Sequence, residues 1–181
     1  MAYTITQPPN SGLMPIANTD IGVTPASSAT LIPSPPMKLG MVVRAVDPTY
    51  GEGEFICLYG VASLAVGSLV TYNEITGLTT ICPTTTFLGQ PVAVSMSANT
   101  STTLVSWFQI GGTALIKKGT TVTTASAVAV FMSGTGGQIT VTARSGQQVL
   151  NARFQGGASV ASTTATMAVL IQRPFLRGQF S

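Results

Sequence analysis

From Met37 onward, the sequence consists of short apolar or alternating runs separated by clusters of Gly, Asn, Pro and Thr. β-branched residues dominate these runs, and no run keeps the roughly 3.6-residue apolar period of a helix behind a capping box. The pattern predicts an all-β domain, arranged as a single β-sandwich, a jelly roll or a small β-barrel. The predicted strands are MVVRAV, EFICLYG, SLVTYN, LTTIC, PVAVSMS, TLVSWFQI, TALIKK, AVAVFMS, QITVTA and ATMAVLIQ.

Several local features refine this prediction. The stretch SGTGGQ lies between two runs and predicts a hairpin turn. In the Ala-rich stretch TTASAVAVFM, a helical turn is an alternative to a strand. Lys117 and Lys118 predict a solvated turn or a sheet edge, because lysine commonly protects such edges. Trp107 lies in an apolar run and is predicted to be a core residue.

Residues 1–38 have a different composition, because seven of the eleven prolines lie in the first 36 residues. Proline removes a backbone donor and pushes the preceding residue towards extended geometry, so this segment is neither a helix nor a central strand. We predict an extended N-terminal arm over residues 1–38 that docks on another surface, before an all-β domain over residues 39–181; an undocked tail is the alternative. The apolar residues expected to make the arm's contacts are Tyr3, Ile5, Leu13, Ile16, Ile21, Leu31 and Ile32.

Charge and hydropathy exclude several classes of partner. Charged residues make up 7% of the chain, the net charge is +3, and the basic residues are scattered rather than gathered on a face with aromatics. We therefore expect no nucleic-acid binding. Mean hydropathy is +0.43, but Gly, Thr and Ser interrupt every run before the roughly 18 apolar residues that a spanning helix needs, so we expect no membrane insertion. The first ten residues lack the pattern of a secretion signal, which predicts synthesis in a cytoplasm.

Two of the five carboxylates, Glu52 and Glu54, precede an apolar run in GEGEFICLYG. In an extended strand both side chains lie on one face. A general acid–base pair needs a desolvated carboxylate, or two carboxylates held across a cleft, and side chains at the mouth of a strand stay solvated. We therefore predict that these glutamates mark a solvated strand end that discourages edge pairing.

The remaining catalytic chemistry is also disfavoured. The chain has no histidine, which removes the commonest general base and the histidine-containing triads. Cys57 and Cys82 have no CxxC partner, so they predict two buried free thiols rather than a zinc site. No glycine-rich phosphate loop is present between a strand and a helix. We expect no catalytic residue, no metal and no cofactor, and a protein that is not an enzyme.

The C-terminal stretch LIQRPFLRGQFS is the second candidate contact site. Arg173 and Arg177 flank Phe175, and Phe180 follows. Arginine beside aromatic anchors is a typical composition of interface hot spots. The alternative is a last strand that ends at Pro174, followed by a solvated tail.

Four segments together resemble the capsid decoration, or cement, proteins of tailed bacteriophages. These are GEGEFICLYGVASLAVGSLVTYN, LGQPVAVSMSA, WFQIGGTALI and the closing LIQRPFLRGQ. The likeness covers about residues 40–179 and leaves out the N-terminal arm. It implies a β-rich, non-enzymatic virion protein, often a homotrimer, that binds the outer surface of a phage head at junctions between major capsid protein subunits and stiffens the shell. The arm and the C-terminal residues would then be its capsid or intersubunit contacts.

Other functions stay open at this point. A fibre, spike or adhesin module that binds a host surface glycan would need several exposed aromatics, and those of this chain are dispersed. An enzyme is disfavoured by the missing histidine and the scarce carboxylates. A main shell-building subunit is a variant of the virion role, weakened because the chain is short for a capsid lattice protein.

Overall fold

The computed structural model describes the backbone of residues 4–7, and residues 39–99, 101–119, 128–155 and 165–178 in full. Within these ranges there is no helix, which confirms the all-β prediction. The strands are β1 (Thr4–Gln7), β2 (Val42–Asp47), β3 (Gly51–Tyr59), β4 (Leu69–Tyr72), β5 (Thr79–Ile81), β6 (Val92–Ser95), β7 (Val105–Lys117), β8 (Val128–Met132), β9 (Ile139–Thr140), β10 (Gln148–Phe154) and β11 (Thr166–Leu176).

All eleven strands belong to one antiparallel sheet, whose main path is β1-β2-β3-β7-β11-β10-β8-β9. β4, β5 and β6 form a side branch that joins the path where β6 pairs with β7. The sheet curls, so that the Gly119 amide, just after β7, donates to the Ile139 carbonyl of β9 at 2.8 Å. The architecture is therefore a half-barrel made from one curled sheet.

The centre of the sheet is β7, a strand of 13 residues. The sequence predicted two strands here, TLVSWFQI and TALIKK, but the chain stays extended through Gly111 and Gly112. β3 pairs with β7 on one side, and β6 and β11 share the other side. The register between β3 and β7 shifts between Glu54 and Phe55, which lie opposite Gly111 and Gln109. Gly112, directly after this bulge, has φ of +88°.

Three apolar clusters form the core, and β7 contributes to each of them. The first contains Ile116, the second Trp107 and the third Phe108. Trp107 and both thiols are buried, as predicted. Burying a large apolar side chain stabilises the fold by roughly 1.5–3 kcal/mol. The largest fully buried side chains are Phe55, Phe108, Leu58, Leu69, Met96, Ile116, Met132, Ile139, Met167, Ile171 and Leu176.

The predicted hairpin at SGTGGQ is confirmed, because the Ser133 amide donates to the Gln138 carbonyl at 2.9 Å between β8 and β9. In TTASAVAVFM, residues 128–132 are the strand β8, and residues 120–127 lie outside the described part of the chain. Strand β10, QVLNARF, was not predicted from the sequence.

One expectation about the surface was wrong, and one alternative is excluded. Lys118 is 6% exposed rather than solvated, because it lies where β7 meets Ile139 of β9. The strand at the C-terminus does not end at Pro174. β11 continues to Leu176, and Arg177 still donates its amide to the Gln148 carbonyl at 3.0 Å.

Candidate functional site

The structure places Arg173 and Phe175, two of the predicted C-terminal contact residues, on the exposed face of β11. The Arg173 side chain is 70% exposed, and Phe175 is 39% exposed. Arg177 is partly buried, and Phe180 lies outside the described residues. Because Pro174 and Leu176 point inward, alternation along the strand leaves Arg173 and Phe175 available to a partner.

Of the predicted arm contacts, only Ile5 falls on a described residue, in β1, where its Cα lies opposite Ala45 of β2. β1 pairs with the edge strand β2 of its own chain, whereas the contact predicted for the arm was with another surface. The other predicted arm contacts, Tyr3, Leu13, Ile16, Ile21, Leu31 and Ile32, lie outside the described residues.

Three neighbouring strands are distorted at the same place. Arg173 in β11 has φ of +44°, Asn151 in β10 has φ of +56°, and Gly112 in β7 has φ of +88°. The register between β10 and β11 shifts between Leu150 and Ala152. A positive φ is unfavourable for a residue with a Cβ, and bulges re-aim side chains at binding surfaces. The distortions of these three strands therefore converge on one local surface.

That surface is a cleft of about 690 Å³ that crosses five adjacent strands, β2, β3, β7, β11 and β10. The chain has eight basic and five acidic residues, and five of these thirteen line the cleft: Arg44, Glu52, Glu54, Arg153 and Arg173. Charge is therefore concentrated here, and the other eight charged residues are distributed over the rest of the chain. We call this surface the charged cleft.

The charged cleft contains a small ion-pair network centred on Glu54. Its Oε1 accepts from Arg44 Nη2 at 3.2 Å, and its Oε2 accepts from Arg173 Nε at 3.4 Å. Arg44 Nη1 also lies 3.7 Å from Glu52 Oε1. Because the arginines are more than half exposed, each pair stabilises the fold by no more than about 0.2–1 kcal/mol. The main effect of the network is to orient Arg44 and Arg173 on the cleft wall.

These contacts correct the interpretation of the two glutamates. Glu52 is solvated, with 61% of its side chain exposed, but that of Glu54 is only 24% exposed. Their strand is not an edge, because β3 lies between β2 and β7. No local pattern indicated this contact, since Arg173 is 119 residues from Glu54.

The described residues offer little reactive chemistry outside the cleft. Burial raises the pKa of both Cys57 and Cys82 to about 12, which keeps the thiols protonated and unreactive at neutral pH. Among the described residues, no group of three or more Cys, Asp or Glu side chains is placed to hold a metal ion. The arrangement of the charged cleft suits recognition of a polar partner.

A second exposed feature, which the sequence did not predict, is the turn between β4 and β5. Asn73 Oδ1 accepts from the amides of Ile75 and Thr76, both at 2.9 Å, which fixes the turn. Ile75 projects from it and is 95% exposed, and Leu78 is 53% exposed. Next to this turn lies a cavity of about 660 Å³, lined in part by Tyr72 and Glu74. Burial and the nearby Glu74 raise the pKa of Tyr72, and Arg173 opposes this shift.

Comparison of the chain with protein-family models, with curated proteins and with solved structures found no match. Within the described ranges, no helix is long and apolar enough to cross a membrane.

Proposed function

We propose that this chain is a non-enzymatic structural virion protein that binds the outer surface of a phage head and stabilises the capsid lattice, as decoration or cement proteins do. The observation that carries the proposal is the charged cleft, together with exposed Phe175, which lies two residues along β11 from the cleft residue Arg173. Arginine and an aromatic side chain together are the typical composition of binding hot spots. The cleft also contains Arg173, one of the residues through which the C-terminus resembles that class.

The physical mechanism requires no chemistry. A ligand that binds the assembled lattice better than separated subunits adds its binding free energy to the assembled state. A homotrimer would engage several equivalent capsid sites at once, so a modest contact per chain gives high avidity. In this proposal the partner is the major capsid protein, and the location is the capsid surface of the virion.

The strand pairing around the charged cleft supports a rigid contact surface. The cleft residues lie on paired strands of one sheet, apart from the bulges, and two of its arginines are held by the same Glu54 carboxylate. Side chains positioned in this way lose less conformational entropy on binding. The proposed contact surface is therefore organised before the partner arrives.

The test is co-sedimentation of the purified protein with expanded phage heads that lack it. Saturable binding, with heads that withstand higher temperature, is the expected result. Arg173→Ala should weaken binding about tenfold or more, the usual cost of removing a hot-spot arginine. Arg144→Ala is the matched control, because Arg144 is exposed and does not line the cleft. A wild-type protein that stays in the supernatant would refute the proposed function.

The second candidate is a fibre, spike or adhesin module that binds a host surface glycan. One observation favours it: Asn151 and Gln172 add amide groups to the arginines and glutamates of the cleft, and such groups hydrogen-bond sugar hydroxyls. A glycan array separates the two functions. Binding to a defined glycan that Arg173→Ala abolishes, without binding to heads, would establish the module instead.

A further inference from the structure

The charges of the charged cleft are unevenly distributed between its two ends. At the end formed by β2 and β3, Arg44 lies opposite Glu54 as a cross-strand pair, and Glu52 lies close to the same arginine. Among the described residues that line the end formed by β10 and β11, Arg153 and Arg173 are charged and none is acidic. The β10–β11 end therefore carries two positive charges without a carboxylate on its own strands to balance them.

Arg153 is available to a ligand. Its Cα lies opposite Leu170 of β11 and Ala129 of β8, so paired strands on both sides fix the position of its backbone. Arg153 is exposed, and its side chain makes no hydrogen bond or ion pair with any described residue. All of its guanidinium donors can therefore bind an acceptor in the cleft.

Arg173 is only partly engaged by its ion pair. Its Nε donates to Glu54 Oε2 at 3.4 Å, and its two terminal nitrogens have no hydrogen-bond partner among the described residues. The contact with Glu54 holds the guanidinium in place and leaves the edge formed by the terminal nitrogens open. A carboxylate fits such an edge, because it accepts two parallel N–H bonds from one guanidinium.

The middle of the cleft has room for an extended chain. It is lined by Gly53 of β3 and by Gly111 and Gly112 of β7, which carry no side chains. Five strands about 4.8 Å apart span roughly 19 Å, the length of about six extended residues. Asn151 and Gln172, near the two arginines on β10 and β11, also line the cleft, and their amides can both donate to and accept from peptide groups. The size and the polar groups of the cleft therefore fit an extended peptide.

We propose that the β10–β11 end of the charged cleft binds a carboxylate side chain of an extended acidic peptide segment of the partner protein, between Arg153 and Arg173. Glu54 already bridges Arg44 and Arg173 in this way. A ligand carboxylate would extend this alternation of opposite charges across the sheet, and such complementarity fixes the register of a partner. A phosphate is less suited, because its second negative charge adds repulsion from Glu52 and Glu54. This inference rests on the proposed function, in which the partner is the major capsid protein.

The experiment titrates the isotopically labelled full-length protein with a hexapeptide of alternating glutamate and serine, blocked at both ends. Backbone amide and arginine Nε signals are followed by NMR spectroscopy, which detects weak binding. Saturable shifts centred on Arg153 and Arg173 are expected, and added salt should weaken the binding. The same peptide with glutamine in place of glutamate should bind at least about tenfold more weakly.

Arg153→Gln is the variant that tests the proposed subsite. It should bind the glutamate peptide about tenfold more weakly, while its Tm stays within about 2 °C of wild type, because the side chain has no partner among the described residues. Arg144→Gln is the matched control, because Arg144 is exposed and does not line the cleft. It should change the affinity by less than about twofold.

The inference is overturned if several millimolar of the glutamate peptide causes no saturable shift at Arg153 or Arg173, or if the glutamine peptide binds equally well. Equal effects of Arg153→Gln and Arg144→Gln would also overturn it. So would a phosphoserine peptide or a glucuronate oligosaccharide that binds at least about tenfold more tightly than the glutamate peptide.

Co-sedimentation with heads is measured separately, so the two proposals can fail independently. Heads that bind the protein while the glutamate peptide does not would refute only the carboxylate subsite. Binding of the peptide by a protein that does not bind heads would refute only the proposed function.

Discussion

Replacing Gly112 by alanine tests whether the backbones of β7 and β3 approach each other closely beside the bulge. Gly112 has φ of +88°, and a Cβ added there would overlap the Glu52 carbonyl oxygen and lie 2.9 Å from the Gly53 Cα. Both neighbours are backbone atoms of β3, so no side-chain rotation relieves the clash. β3 and β7 would have to separate locally.

Two costs add for Gly112→Ala. A residue with a Cβ in left-handed conformation costs roughly 1–2 kcal/mol. Overpacking against backbone adds typically about 1–3 kcal/mol. We therefore expect the free energy of unfolding to fall by about 2–5 kcal/mol. Gly51→Ala is the matched control, because Gly51 has φ of +77° and a Cβ there would meet nothing within 4 Å. Gly51→Ala should therefore lower the free energy of unfolding only by the roughly 1–2 kcal/mol of the left-handed conformation.

Urea unfolding followed by the emission of buried Trp107 measures both free energies. In thermal unfolding, each 1 kcal/mol corresponds to a shift of about 2–4 °C in Tm for a domain of this size. Equal losses for Gly112→Ala and Gly51→Ala, within about 0.5 kcal/mol, would refute the close approach of β3 and β7. If Gly112→Ala loses more stability than Gly51→Ala, as we expect, the charged cleft of that variant should also bind its partner less well. The reason is that the bulge helps to place Glu54 and Arg173.

Three further predictions follow from the burial and the ion pairs. Glu54→Gln should lower the free energy of unfolding by about 0.5–1 kcal/mol in urea, because it weakens two partly exposed ion pairs, whereas Glu52→Gln should change it by less than about 0.3 kcal/mol; equal effects would contradict the network. Burial raises the pKa of both thiols from 9.0 to about 12, so the folded protein keeps protons that the unfolded chain loses. The stability contributed by each thiol is therefore full below pH 9 and falls between pH 9 and 12 by up to about 1.4 kcal/mol per pH unit. Cys57→Ala should remove about half of the combined slope of the two thiols in unfolding titrations, and an unchanged slope would show that Cys57 is not a titrating group. Ile75→Ser should leave stability within about 0.5 kcal/mol, because Ile75 is almost fully exposed; a larger loss of Tm would show that Ile75 packs against the domain.

The local sequence pattern was enough to predict most of the strands. Alternating β-branched residues favour a strand, turn residues end it, and both signals can be recognised within a few positions of the sequence. It failed for β10, where Val149 and Phe154 point inward but the bulge at Asn151 interrupts the alternation. The local pattern also failed at Gly111 and Gly112. A pair of glycines usually interrupts a strand, but here the pair lies beside a bulge within β7.

The charged cleft could not be predicted from the local sequence pattern, and the reason is different. Arg173 was singled out from its composition, but its partner Glu54 was taken for a solvated strand end. Their contact depends on the order β3-β7-β11, and strand order is set by the global packing of the core rather than by residues near either side chain. Lys118 was misjudged for the same reason, because its burial depends on the meeting of β7 with β9.

The position of β7 has a consequence for how the fold opens. β7 is paired on both sides and contributes side chains to all three apolar clusters. Freeing its central amides therefore exposes the whole core at once, so the cost of that local opening approaches the free energy of global unfolding. We expect the amides of Phe108 and Ala114 to be among the slowest in native-state hydrogen exchange, while the short strand β5 at the edge of the side branch exchanges through local fraying.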